Sequence, residues 1–302
     1  MSALSKPSRG IDPTAGTVCE QPSATADAAR VQAHHRSEHL WFDRLAGLHR
    51  AVRAAVLGCG RERTELSNAK GDAVRRFDLA ANDAALSFLE TLDVPLVVAS
   101  EETEPLRLGV GSPRHRLVLD PVDGSDNWAQ DLPLSAVSCA VLAMDAPLHP
   151  DFVEWAMVGP LDRETPLLAG RGVGAWCDQT RLQTSAVDRI PDAVISVELN
   201  HFAPPPALSG TMAKARAVRS YGCASGALAL IASGGSDAHI DLRRRLTAES
   251  YLAAARLVIE AGGTVCAPDG GPLASARGLT DRVELMAAAS EGLCQEIGGS
   301  LY

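Results

Sequence analysis

The sequence predicts a layered α/β fold, and two observations carry that reading. Short β-rich runs alternate with helical patterns along most of the chain, and both halves contain both kinds of pattern. The 302 residues suffice for one large domain or two closely joined ones. An apolar share of 46% and a charged share of 22% are ordinary for a soluble globular chain. The net charge of −9 argues against a nucleic-acid partner held through phosphate contacts. No stretch reaches the roughly 20 apolar residues that a membrane helix needs, so no membrane partner is expected.

Residues 1–36 are rich in Ser, Pro, Thr and Ala and lack an apolar signal core, so they read as a flexible leader. Order is expected from residue 37. Leu40, Leu45, Leu48, Val52 and Val56 recur at helical spacing. Residues 77–92 give a second helical pattern with Asp78 near its start. Residues 94–100 and 116–120 are short β-rich runs, each ending in carboxylates. A strand-and-turn pattern continues to residue 178. Residues 37–185 therefore form an N-terminal α+β half.

Residues 186–302 form an α/β half. "AVISVEL" and "AHIDL" are strand-like, and residues 224–234 are helix-like. "TAESYLAAARLVIEAGG" is the clearest helix. It places Tyr251, Ala254, Ala255, Val258 and Ile259 on one face and stops at Gly262-Gly263. Seven scattered cysteines, odd in number and without CxxC spacing, fit unpaired thiols in a reducing cytoplasm rather than a disulfide frame or zinc site.

Chemistry concentrates at "LVLDPVDGSDNW", residues 117–128. Asp120, Asp123 and Asp126 follow an apolar run, and carboxylates this close resist ionising together. Glu101 and Glu102 follow a neighbouring run. A hard divalent cation such as Mg²⁺ takes oxygen ligands and would relieve the repulsion. Val122 can offer its carbonyl, and Gly124-Ser125 can open a turn or helix whose N–H groups face an anion. The plainer account is that the aspartates cap a turn and the glutamates are solvated.

"LDPVDGSDNW" resembles the metal-binding signature of the inositol monophosphatase family, Asp-Pro-(Ile/Val)-Asp-Gly-(Thr/Ser). "SEETE" (100–104), "LLAGRGVGAWCD", "YGCASGALALIASGGSDAHID" and "VIEAGGTV" resemble further family segments in the same order. "NAKGDAVRRFD" (68–78) is similar to the archaeal-type branch, whose enzymes act on inositol phosphates and fructose 1,6-bisphosphate. The resemblance implies a layered αβαβα sandwich with the site between the two halves, and a homodimer. It also implies a Mg²⁺-dependent phosphomonoesterase for a small phosphorylated sugar, cyclitol or nucleoside.

Site roles also follow from the resemblance. Glu101, Asp120 and the Val122 carbonyl would hold a first Mg²⁺, and Asp120 with Asp123 a second. Ser125 would orient the attacking water, and Asp78 would support that hydroxyl. Gly124 and Ser125 would grip the phosphate, with Gly222, Cys223 and Ala224 bordering the substrate. Asp241 would accept substrate hydroxyls, and Arg243 would meet a second phosphate or a hydroxyl. Plainer accounts stand beside these roles. Asp78 suits a helix start, Asp241 a strand end, and residues 243–245 a solvated basic patch. Cys223 suits a small packed residue, and His34, His35 and His39 a solvated face.

One departure stands out. The family has an Asp ten positions before the Glu of Glu-Ala-Gly-Gly, and counting back from Glu260 reaches Ser250. That Asp would hold the second metal. Adjacent Glu249 is turned by about 100° of helix but could reach the site through its extra methylene, and Asp126 is another nearby acid that could fill the place. The alternative to an enzyme is therefore a catalytically weakened family member acting as a binding or scaffold protein.

Overall fold

The structure is a computed structural model describing residues 24–67 and 73–302. The residues before 24, residues 68–72 of the segment 68–78, and the side chains of His34, His35 and His39 lie outside the described residues. Residues Glu38–Tyr302 make one compact unit. Helix α1 runs Ala24–Leu57, so it starts before the expected onset at residue 37. Leu45, Leu48, Val52 and Val56 are buried as their spacing requires, while Leu40 is exposed.

Strands β1 (Arg63–Ser67) and β2 (Ala73–Arg75) pair antiparallel. Helix α2 (Arg76–Glu90) buries Phe77, Ala81, Ala85 and Leu89 along one stripe. Eight strands then build the first large sheet. They are β3 (Leu96–Ser100), β4 (Thr103–Leu108), β5 (His115–Asp123), β6 (Ala136–Ala143), β7 (Val153–Pro160), β8 (Leu167–Gly170), β9 (Gly174–Cys177) and β10 (Thr180–Arg181). Their order is β10-β9-β8-β7-β6-β5-β3-β4. Helix α3 (Ser125–Ala129) follows β5 directly.

The second sheet holds β11 (Val194–Val197), β12 (Ala217–Arg219), β13 (Ala238–Leu246), β14 (Thr264–Cys266) and β15 (Val283–Ala288), ordered β12-β11-β13-β15-β14. Helices α4 (Pro206–Lys214), α5 (Ala224–Ala232), α6 (Ala248–Glu260) and α7 (Glu291–Leu301) complete the chain.

The buried core falls into three clusters that lie between five layers of helix and sheet. Leu117 and Leu119 of β5 pack with α1 and α2, while Val118 between them packs with α5 and α6. That period-two split explains why β5 reads as a continuous apolar run: both faces of the sheet are covered. On the other side of α5 and α6 lie Leu285 and Ala287 of β15. Ile240 and Met286 face α4 and α7 instead. The result is the αβαβα sandwich.

Helix α6 differs from its expected single buried face, because residues 248–258 are buried on every side. It is caught between two sheets, and Ala253, Ala254 and Ala255 allow the close approach. It ends as expected. Gly263 N–H bonds the Val258 carbonyl at 2.9 Å and Gly262 N–H the Ile259 carbonyl at 3.1 Å. Gly262 takes φ +99°, the left-handed turn that closes a Schellman motif. Among the described residues, no helix is long and apolar enough to cross a membrane. The six described cysteines are free thiols.

Candidate active site

The carboxylates share one cavity because two neighbouring strand ends meet there. Glu101 follows β3, and β3 runs parallel to β5, pairing Ser100 with Leu119. Asp120 therefore emerges beside the β3–β4 turn. Asp120, Val122, Asp123, Glu101, Gly124 and Ser125 all line one polar cavity of about 420 Å³. Gly222, Cys223, Ala224 and Ser250 line it from the other sheet's side.

Each side chain is held. Asp120 is 2% exposed. It accepts from the Val122 N–H at 3.1 Å through Oδ1 and from the Ser250 hydroxyl at 3.2 Å through Oδ2. Asp123 Oδ2 accepts from Ser225 N–H at 2.7 Å, the Ser225 hydroxyl at 2.6 Å and the Cys223 thiol at 3.2 Å. The first turn of α5 thus fixes that carboxylate. Gly124 has φ +83°, and a Cβ there would come 2.8 Å from the Leu134 carbonyl and 3.0 Å from Cys223 Cβ. Only glycine allows the chain to turn from β5 into α3 this close to α5.

Asp78 serves two ends at once. Its Oδ2 accepts from the Arg75 N–H at 2.8 Å, capping α2, and its Oδ1 accepts from the Ser125 hydroxyl at 2.9 Å. Burial is the main cause pushing its carboxyl above the usual range; the Arg75 and Ser125 hydrogen bonds and the Arg75 charge oppose it, while the Glu101 charge adds to it. Arg75 is itself buried. It donates to the Ser125 carbonyl at 2.7 Å and pairs with Asp126. Asp126 lines the cavity but is engaged by that guanidinium.

Several expectations need correction. Asp241 does not line the cavity. It is fully buried, with Arg243 Nε donating to Oδ1 at 3.0 Å and Arg243 Nη2 to Oδ2 at 2.8 Å. It is spent on orienting Arg243 rather than open to substrate hydroxyls. Arg243 does line the cavity, with that guanidinium edge committed to Asp241. Glu249 is buried but is not among the cavity's lining residues, so it does not stand in for the missing acid. Cys223 lines the cavity as a neutral thiol, because burial and the adjacent Asp123 push it well up.

Sequence reasoning missed Glu198, Ser225 and Arg75. Glu198 is 2% exposed and lines the cavity just beyond β11. An acid directly after an apolar strand was the signal that marked Glu101 and Asp120, and "ISVEL" carries it too. Ser225 had no such signal, since only the fold brings α5 against Asp123.

The donors suit a hard cation: three carboxylates and a backbone carbonyl, all oxygen, in one polar cavity. Among the described residues, no three His, Cys, Asp or Glu side chains converge on one point as placed.

The sequence model of the inositol monophosphatase family matches residues 46–299. A fructose-1,6-bisphosphatase/inositol-1-monophosphatase of Methanothermobacter thermautotrophicus is 28% identical over 245 residues, covering 76% of this chain and 83% of that one. Inositol monophosphatase 2 of Rattus norvegicus is 30% identical over 164 residues, 52% of this chain and 54% of that one. A Pyrococcus horikoshii structure, described as similar to inositol-1 monophosphatase, superposes with a TM-score of 0.72 at 22% identity. It covers 88% of this chain and 99% of that one. With the family's sequence pattern spanning most of its length and the αβαβα sandwich beneath it, the chain belongs to the inositol monophosphatase family and is a phosphatase.

Proposed function

We propose that this chain is a Mg²⁺-dependent phosphomonoesterase acting on a small phosphorylated sugar, cyclitol or nucleoside. One observation carries the reading. The Ser125 hydroxyl lies 2.9 Å from Asp78 Oδ1 and 2.9 Å from the Val122 carbonyl, in the same cavity as Glu101, Asp120 and Asp123. A hydroxyl has one proton to donate. Giving it to Asp78 leaves the Ser125 oxygen free to accept from a water and so aim that water's lone pair. Asp78 is locked by the α2 cap, and Arg75 fixes the Ser125 backbone, so this geometry is set before substrate arrives.

Glu101, Asp120, Asp123 and the Val122 carbonyl would hold Mg²⁺. When bound, the ion supplies Lewis acidity toward the phosphoryl group and offsets its charge. Gly124 and Ser125 would grip the phosphate, and Gly222, Cys223 and Ala224 would border the alcohol part. A screen of phosphate release over sugar, cyclitol and nucleoside monophosphates, with Mg²⁺ or EDTA, tests the reading. Release dependent on Mg²⁺ supports it, and no release from any ester overturns it.

Ser250 favours a second reading. A neutral hydroxyl bonded to Asp120 stands where the family's motif has an acid. A weakened enzyme that binds phosphate esters without turning them over would bind in that screen's conditions and release nothing.

A further inference from the structure

Glu198 has no role in the phosphatase reading, yet its surroundings are those of a ligand contact. Its backbone is fixed, because the Glu198 N–H bonds the Ile240 carbonyl at 3.1 Å and extends the β11–β13 pairing by one residue. Its Oε1 accepts from the Gly222 N–H at 3.1 Å. Its Oε2 is buried and has no hydrogen-bond partner in the protein. Arg243 Nη1 stands 3.8 Å from Oε2, an ion pair beyond hydrogen-bonding distance. The rest of that guanidinium cannot swing closer without leaving Asp241, which holds it through two bonds.

A buried acceptor without a donor is costly. Here it borders a polar cavity rather than a packed core. What is missing is a donor group that arrives from the cavity. Another phosphate is a poor candidate, since it brings acceptors and negative charge to a buried carboxylate where Arg243 is already opposed by Asp241 and Asp123. An O–H group fits. Asn200 lines the cavity two residues further along the same loop and adds an amide able to donate or accept.

We propose that Glu198 is a specificity-determining residue that accepts hydrogen bonds from hydroxyl groups on the alcohol part of the substrate. It thereby selects polyol phosphates over alkyl or aryl phosphates. Resting on the phosphatase reading of the same cavity, this assigns the hydroxyl-binding role to Glu198, because Asp241 is sealed behind Arg243. A site built to hydrogen-bond a hydroxyl rejects analogues that lack it, since its acceptor is then left buried and unpaired.

The test compares wild type with Glu198→Gln and Glu198→Asp. Glu198→Gln keeps the shape and removes the charge; Glu198→Asp keeps the charge and withdraws it by one methylene. The kcat/KM for polyol monophosphates, divided by that for phenyl phosphate, should fall about 10- to 100-fold in Glu198→Gln, mostly through KM. Glu198→Asp should fall less. Equal losses on both ester classes would overturn the proposal, because they would mark a structural or metal-linked effect. So would an unchanged ratio, because Glu198 would then not touch the alcohol part.

Binding separates this from the phosphatase reading. Saturation-transfer NMR is run on the three proteins with inositol 1-phosphate, a hexose phosphate and phenyl phosphate in EDTA. Polyol signals that weaken in Glu198→Gln relative to phenyl phosphate support the assignment even if no ester is hydrolysed. Absence of any polyol preference in wild type overturns it even if hydrolysis is found.

Discussion

Ser250→Asp places a carboxylate against Asp120. The Ser250 hydroxyl is 3.2 Å from Asp120 Oδ2, and Ser250 is 8% exposed, so the new charge has little room to move away. Two like charges about 4 Å apart at an effective dielectric near 20 repel by about 4 kcal/mol. The hydrogen bond now donated to Asp120 is lost as well, which adds about 1 kcal/mol. Uptake of a proton by one carboxyl would return part of this, as in paired carboxylates generally. A net cost of about 3 kcal/mol lowers the melting midpoint of a domain this size by roughly 6–12 °C. That holds without a divalent cation. With Mg²⁺ present the added acid becomes a ligand, and carboxylate count raises affinity for a hard cation. Scanning calorimetry of both proteins in EDTA and across a Mg²⁺ titration reads the two effects separately. The variant should melt lower in EDTA and gain more from Mg²⁺ than wild type, and its turnover should reach half-maximum at less Mg²⁺. Coincident midpoints in EDTA together with superimposable Mg²⁺ curves would refute the reasoning, because Ser250 would then not adjoin an ion site.

Asp120→Asn should abolish phosphate release, since Asp120 is the proposed shared ligand of both ions; activity within a few-fold of wild type would sink the two-metal account. Ser225→Ala removes the hydroxyl 2.6 Å from Asp123 Oδ2 while leaving the backbone N–H bond, so Mg²⁺ binding measured by calorimetry should weaken about 3- to 10-fold. An unchanged binding constant would mean that the backbone bond alone positions Asp123. His239 gives a pH prediction. It is fully buried, its Nδ1 lies 2.8 Å from the Ser196 hydroxyl, and its Nε2 has no hydrogen-bond partner. Burial lowers its pKa from 6.5 to about 4, with Asp241 opposing and Arg243 assisting. The unfolded chain therefore binds a proton that the native chain does not, and stability present above pH 6.5 declines as pH falls toward 4, by up to about 3 kcal/mol. Urea melts of wild type and His239→Gln between those limits should diverge, and parallel curves would exclude His239 as the cause.

Strands such as β3, β5 to β7, β11 and β13 and both central helices were legible because their apolar patterns are strong, whereas β1, β2, β4, β12 and β15 were not read. Residues 77–92, 153–160 and 248–260 each fall on the expected element. Helices α4 and α7 were not read. Each has a weak signal: α4 opens on prolines, and α7 carries glycines at 292, 298 and 299 that dilute its pattern. The all-round burial of α6 was not legible either, since periodicity marks a preferred face and cannot report a second sheet covering the other.

Asp78 and Asp241 mark the limit of reading roles from position. For Asp78, the helix-start and hydroxyl-supporting accounts looked like rivals, yet the carboxylate has two oxygens and the structure gives one to each. Capping is then part of the device: the bond that stabilises α2 is the one that stops Asp78 rotating away from Ser125. For Asp241 it is burial that speaks against the expected role: the carboxylate is fully buried, bonded to Arg243, and outside the cavity lining. Under the proposal above, the acceptor for substrate hydroxyls is Glu198, one strand away, whose N–H bonds the carbonyl of the residue preceding Asp241. A motif aligned along one strand cannot report that a carboxylate is buried behind its neighbour, whereas its exposure and contacts in the fold can.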